Sequence, residues 1–429
     1  MKTSTKRFFL TGLTALALSL TPASADPKIE LNLWTHEDPA RSVLEKKLIQ
    51  EFQAANPNVT VNYVTYPSGK IKDLVVTAFA ANQGPDIFNL EIQDEYPFIA
   101  NSRVAPVDLK AIGAPSLKSL VDQYSTGILN PVTSGGKLYG LPLEVTNWTI
   151  FLNKKIFRDA GLNPVKDYPK TWEDVVTLSQ KLVVRDGEII TRRGFDFRYP
   201  YYLTQFVPMV EQLGGALTSP DGKTAIVNDA AWIKFLTFMR DFGPNGKNLG
   251  SPTYMPARNA FNGGKDIAMA ESGLYQEARI LAANPEFYNS GDWMVVPYPQ
   301  FKNAKKKVTG NFYGHFYMVN AQKPTASQAT AWKLVSFLLS HSEDYLREVK
   351  IVQPLKKLLD SKTFKDMPYS QVFRKDLEAS HSVYYAENSP KVNDLLKVAV
   401  ETVMLANVEP QKALETLKRN LQAALDDQQ

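Results

Sequence analysis

The chain has 429 residues, 44% of them hydrophobic and 22% charged, with a formal net charge of +5 and no cysteine. Without cysteine there is no disulfide framework, so a sizeable apolar core must hold the fold together, and this length suits two domains. Lys2, Lys6 and Arg7 supply three of the five net positive charges, so the chain without its first 25 residues carries +2 and lacks the basic stripe of a nucleic-acid binder.

Those three cations precede an apolar run from Phe8 to Leu20, and Ala23-Ser24-Ala25 follows with a small-x-small pattern. That order predicts a cleavable export signal over residues 1–25. The run is too short to span a bilayer, for which roughly 20 apolar residues are needed. No later stretch is long and apolar enough, so the mature product is expected to be soluble. With no cysteine to carry a lipid, the expectation is a freely diffusing protein of a Gram-negative periplasm.

From residue 29 onward, strands and helices alternate. Ile29, Leu31 and Leu33 alternate with polar residues and predict a first strand. Asp38 suits an N-cap, Pro39 suits the first helical position, and Leu44, Leu48 and Phe52 repeat every four residues. Val59, Val61 and Tyr63 mark a second strand, and Asp86 to Leu90 a third. Such alternation predicts an α/β fold with mainly parallel sheets flanked by helices, whose ligands sit beyond the carboxyl ends of the strands. Thr171-Trp172-Glu173-Asp174 reads as a capping box, with Val175, Leu178 and Leu182 as the buried stripe of its helix. Helical periodicity also covers 229–241, 324–340, 390–405 and 410–426, the last with Leu414, Leu417, Leu421 and Leu425 on one face. Lys305-Lys306-Lys307 reads as a solvated loop. No Pro/Gly/Ser-rich linker interrupts the chain, so two domains imply that it crosses between them several times.

Several local patterns then occur in a specific order. Leu31-Asn32-Leu33-Trp34 is followed by Asn56-Pro57-Asn58-Val59-Thr60-Val61, Gly84-Pro85-Asp86-Ile87 and Gly136-Lys137-Leu138-Tyr139-Gly140-Leu141-Pro142. Phe151 to Phe157, Ala160-Gly161-Leu162, Thr171 to Asp174 and Phe261-Asn262-Gly263-Gly264-Lys265 through Ala268-Met269 complete the series. Over nearly all of its length beyond residue 25, the sequence resembles the family 1 extracellular solute-binding proteins, the maltodextrin-type receptors of ABC importers. The resemblance implies a two-lobed periplasmic-binding-protein fold with a three-segment hinge and the ligand in the cleft between the lobes. By analogy the chain crosses near Leu143–Asn147, Pro297–Phe301 and Val349–Pro354. That puts residues 26–143 and 300–350 in the N-lobe, and 144–299 and 351–429 in the C-lobe. The implied partners are a small solute and an inner-membrane ABC permease, with a monomer expected and no metal or organic cofactor indicated.

A sugar presents hydroxyl pairs at its rim and C–H patches on its faces, so its site needs planar polar groups and flat aromatic surfaces. The turn after the first strand brings His36 and Asp38 as candidates, although helix capping alone explains Asp38. Matching from Pro85-Asp86 adds Gln93 and Asp94, and the segment after Leu141-Pro142 adds Glu144, Asn147 and Trp148. Tyr275 falls where the family often carries a stacking aromatic, although the local form here is Gly273-Leu274-Tyr275 rather than Gly-Pro-Trp. Two aromatic clusters supply Tyr201 and Tyr202, and Gly310, Asn311 and Tyr313. Alternating residues in each cluster should point opposite ways, so about half belong to the core.

Two other classes compete. An enzyme finds little support: the four histidines form no local metal pattern, HExxH and GxSxG are absent, and Gly222-Lys223-Thr224 lacks the preceding glycine of a phosphate loop. A secreted carbohydrate-active enzyme built on paired carboxylates stays open as the lesser alternative. A binding protein for glycerol phosphate or a polyol is the other reading, with Arg258, Arg279 and Arg374 as candidate anion partners.

Overall fold

A computed structural model describes Met1 and residues 27–219, 223–227, 229–381 and 389–427. The export signal expected over 1–25 therefore lies, Met1 apart, outside the described residues. Two five-stranded sheets organise the molecule, each packed with helices. In the first sheet the order is Val59–Tyr66, Ile29–His36, Ile87–Glu91, Tyr313–Val319 and Leu141–Thr146. In the second it is Trp293–Val296, Thr149–Asn153, Ile267–Ser272, Ile189–Asp196 and Val184–Asp186. The fold is α/β and two-lobed, one sheet to each lobe.

The local readings hold where periodicity and caps agree. Asp38 caps the helix Pro39–Ala55 by accepting from Arg41 N, and Leu44, Leu48 and Phe52 are buried beneath it. The Thr171–Asp174 capping box is formed in both directions ahead of Trp172–Leu182. Leu414, Leu417, Leu421 and Leu425 are buried along Pro410–Asp426, which packs with Asp229–Phe242 and Ser389–Leu405 into a helical layer of the second lobe.

Strand direction differs from the expectation of mainly parallel sheets. Ile29–His36 pairs in parallel with Val59–Tyr66 and Ile87–Glu91, as helix crossovers require. Tyr313–Val319 and Leu141–Thr146 then add antiparallel pairs. In the second sheet only the pair Ile267–Ser272 with Ile189–Asp196 is parallel. The reason is connectivity: a strand entering from the other lobe is not delivered by a local βαβ crossover, and nothing constrains it to run parallel.

The chain leaves the first sheet at Thr146 and enters the second at Thr149. It returns through a segment in which Pro299 and Val308 carbonyls accept from Gln212, before joining the first sheet at Tyr313. Beyond Val349 it pairs with the first crossing through Val145 N and Val352 O. It stays on the first lobe at Lys356, bonded to Gln123 O, and reaches the second where Tyr369 Oη meets Trp293 O.

One buried cluster joins Leu31, Leu33, Phe88 and Met318 to Leu44, Leu48, Trp332 and Val335 around the first sheet. A second gathers Trp172, Phe195, Phe197, Phe206, Trp232, Phe242 and Met404 around the second sheet. Among the described residues no helix is long and apolar enough to cross a membrane.

Candidate functional site

The strand ends of the two lobes face one another. From the first lobe come Thr35 and His36 at the end of one strand, Asn89 and Glu91 at the end of the next, and Glu144, Tyr313 and His315 from the antiparallel pair. From the second come Arg198 and Tyr201 beyond Ile189–Asp196, and Tyr275 beyond Ile267–Ser272. Trp148 lies in the crossing between the lobes.

At one end of this cleft His36 and His315 stack, with ring centroids 4.0 Å apart and planes at 26°. His36 Nδ1 lies 3.0 Å from Asn89 Oδ1, and His315 Nδ1 lies 3.0 Å from Glu144 Oε1. Burial, then the neighbouring His315 and Arg41 charges, hold the His36 imidazole well below its usual pKa, so it is neutral at physiological pH. Burial would raise the Glu144 carboxyl, but the His315 bond and charge bring it below its ordinary range. Donor atoms of His36, Glu144 and His315 lie within 4.8 Å of one another. A tetrahedral zinc with bonds of about 2.0–2.1 Å would draw its donors to roughly 3.4 Å. Two stacked rings and an engaged carboxylate suit hydrogen bonding to a solute better than a shared cation.

At the other end, the buried Arg198 guanidinium stands 4.0 Å over the Trp148 ring, 4.9 Å from Tyr201 and 5.4 Å from Tyr313. Its Nη1 donates to Tyr275 Oη. Tyr201 and Tyr313 both donate to Glu91 Oε1, at 3.1 and 3.4 Å. Burial lifts the Glu91 carboxyl, while His315, the Tyr201 bond and Arg198 oppose the rise. A Cβ on Gly273 would lie 2.5 Å from Thr146 Cγ2 and 2.6 Å from the Tyr275 ring, so glycine lets the lobes approach here.

Contacts across the cleft show the lobes closed on one another. Arg279 Nη2 lies 3.8 Å from Asp38 Oδ2, Lys350 Nζ lies 3.9 Å from Glu277 Oε1, and Tyr201 reaches Glu91. Among the described residues, the atoms Trp148 Nε1, Gln93 Oε1 and Arg279 Nε are buried without a hydrogen-bond partner, groups that in other proteins nearly always find one.

Of the residues expected from sequence, His36, Glu144, Trp148, Tyr201, Tyr275 and Tyr313 are brought together. Asp38 both caps its helix and meets Arg279. Gln93 donates to Glu91, whereas the Asp94 carboxylate is held by Lys72 at 2.6 Å. Asn147 is buried in the crossing, its amide 3.5 Å from the Trp148 carbonyl. Tyr202 belongs to the core of the second lobe, packed on Phe206 and bonded to Glu401. Gly310 adopts φ +108°, which accounts for the glycine, and Asn311 is buried with its backbone bridged to His381. Arg258 and Arg279 border the cleft beside Tyr275, whereas Arg374 sits on the surface between Asp360 and Glu378.

Four residues escaped the sequence reading: Asn89, Glu91, Arg198 and His315. Glu91 ends a strand, where ligands of α/β sheets gather. His315 shares a strand face with Tyr313 by period-two spacing. Arg198 is a lone cation in the aromatic run Phe197 to Tyr202.

The family described as "Bacterial extracellular solute-binding protein" matches over residues 37–344. An arabinooligosaccharide-binding protein of Bacillus subtilis is 26% identical over 242 residues, 54% of this chain and 53% of that protein. The chain thus spans about half the length of this curated relative. An ABC transporter solute-binding protein from Thermotoga lettingae, solved with α-D-tagatose, superposes with TM-score 0.80 at 20% identity, covering 93% of this chain and 100% of the other. The GacH receptor of Streptomyces glaucescens, solved unliganded and with acarbose, gives 0.79 at 17% identity, covering 93% and 99%. These likenesses establish the two-lobed fold.

Proposed function

We propose that this chain, which belongs to the bacterial extracellular solute-binding proteins, captures a carbohydrate between its lobes and delivers it to an ABC permease. The observation that carries this reading is the convergence of Trp148, Tyr201, Tyr275 and Tyr313 with Glu91, Glu144, His36 and His315 at the facing strand ends. Flat rings beside paired acceptors are what a sugar's faces and hydroxyls require. The relatives named for arabinooligosaccharide and solved with tagatose or acarbose bind solutes of that class.

Capture works by hinge closure, in which the solute favours the closed arrangement through its better contacts there. The lobes are taken as residues 26–143 with 300–350 and 144–299 with 351–429, except that strand residues 144–146 and the segment through Lys356 pack with the first lobe, and Val308 with the second. The protein acts by binding, without chemistry, as an exported periplasmic monomer whose signal occupies residues 1–25. A second reading, a glycerol phosphate or polyol receptor, draws on Arg258 and Arg279 beside Tyr275.

A thermal-shift screen of mono- and oligosaccharides, polyols and glycerol phosphates tests the choice. A ligand at 100 times its Kd stabilises by about 2.7 kcal/mol, enough to raise the melting temperature by a few degrees. A shift confined to one sugar class, lost in Trp148→Ala, is expected. A shift with glycerol phosphate alone would replace this reading with the second.

A further inference from the structure

Resting on the reading of the cleft as a carbohydrate site, we propose that the solute is an acidic carbohydrate whose anionic group is received by Arg198, Arg258 and Arg279 around Tyr275. Carboxylate, sulfate and phosphate ester share the required chemistry, an oxyanion able to accept from guanidinium forks.

Three cations surround Tyr275. Arg198 donates to its hydroxyl, the Arg279 guanidinium carbon lies 5.8 Å from its ring centre, and Arg258 feels both of those cations as well as the Tyr275 phenol. Among the described residues neither Arg198 nor Arg258 forms an ion pair, and Arg279 has only Asp38, at 3.8 Å. The nearby carboxyls offer little relief. Glu91 is occupied by two phenol hydroxyls, Glu277 faces Lys350, and burial pushes Glu271 up to about 8, so it is mainly neutral at pH 7. Burial, followed by the Arg198 charge, lowers the Arg258 pKa, as expected of a cation among cations.

A neutral sugar would leave the buried Arg198 without a counter-ion, beside the partly buried Arg258 and Arg279. That is costly for unpaired charge, and an oxyanion on the solute would offset it. Arg198 also covers the Trp148 face at 4.0 Å, a face that a neutral sugar would otherwise use for stacking. Arg279 Nε, buried and unpartnered, is a donor ready for such an anion. The opposite end of the cleft, where Glu144, His36 and Asn89 already sit in hydrogen bonds, suits the hydroxyls of the same solute.

The test is calorimetric titration of the full-length protein with matched pairs: galacturonate and galactose oligomers, glucose 6-phosphate and glucose, sulfated and unsulfated disaccharides, with glycerol 3-phosphate alongside. The acidic member of one pair should bind, at least 100-fold more tightly than its neutral counterpart, and the successful pair identifies the oxyanion. Arg258→Gln should weaken that binding at least tenfold, while the surface substitution Arg374→Gln leaves it unchanged. Equal binding of both members of a pair, or an Arg258→Gln effect below about twofold, would overturn the acidic-solute proposal and leave the carbohydrate reading standing. Binding of glycerol 3-phosphate with no sugar of either kind would overturn both.

Discussion

Two buried arginines, one in each lobe, sit in opposite electrostatic settings. Arg41, 1% exposed, lies 3.6 Å from the Glu45 carboxylate and donates to Thr35 Oγ1 and the His36 carbonyl. Glu45 in turn accepts from Tyr63, Tyr317 and Tyr345 at 2.8, 2.6 and 2.9 Å. Burial works against the Arg41 charge, but Glu45 and the surrounding phenols keep the guanidinium protonated. Arg198, 8% exposed, has one phenol hydroxyl and three aromatic faces and, among the described residues, no carboxylate in an ion pair with it. A buried charge with its own counter-ion is complete within the fold. One without it is held ready for something that arrives.

The largest effect that would break this comparison belongs to the first arginine. Arg41→Met strands Glu45 among three tyrosines, and losing one partner of a buried pair costs about 3–5 kcal/mol. Urea denaturation followed by circular dichroism should show a loss of that size. Removing both charges with Arg41→Met and Glu45→Gln together should recover part of it. Equal losses in single and double variants would mean that the pair is not coupled.

Arg198→Met should behave differently. Its contacts are a hydrogen bond to the Tyr275 hydroxyl and cation–π contacts, the latter each worth up to about 2 kcal/mol when desolvated, and relief of the buried charge offsets their loss. The unfolding free energy of the free protein is expected to stay within about 2 kcal/mol of the parent. A loss as large as that of Arg41→Met would place Arg198 with the structural charges.

A third test sharpens the comparison through pH. Burial raises Glu271 to about 8, against an ordinary carboxylate value near 4.3 in the unfolded chain. The native state therefore holds this proton more tightly than the unfolded state. Stability is greatest below the unfolded pKa and declines as pH rises towards and through 8. Asp196, raised to about 7, and Asp376, raised to about 6, add to the same decline. Glu271→Gln should lessen the fall in urea midpoint between pH 5.5 and 8.5 without abolishing it. An unchanged fall would remove Glu271 as a source.

Much of the fold was legible because it rests on short-range rules. The Asp38 and Thr171 caps, the stripe Leu414 to Leu425 and the strand Ile29–His36 depend on neighbours a few residues apart, and all formed as read. Strand direction was less accessible, since Tyr313–Val319 joins the first sheet only after a long excursion through the second lobe. In the site, period-two spacing could have extended Tyr313 to His315. No local pattern separates Tyr201, which meets Glu91, from Tyr202, which meets Glu401. Adjacent residues at a helix start differ only in what the rest of the chain brings to them.

The sequence by itself determined the alternating elements, their caps and buried faces, and through the ordered motifs the family. Only the tertiary structure decided that His36 stacks on His315, 279 positions away, and that Arg41 is neutralised while Arg198 is not. Backbone conformation and amphipathic pattern are set by nearby residues. Charge compensation and ring stacking depend on distances between remote segments, which exist only once both lobes have packed.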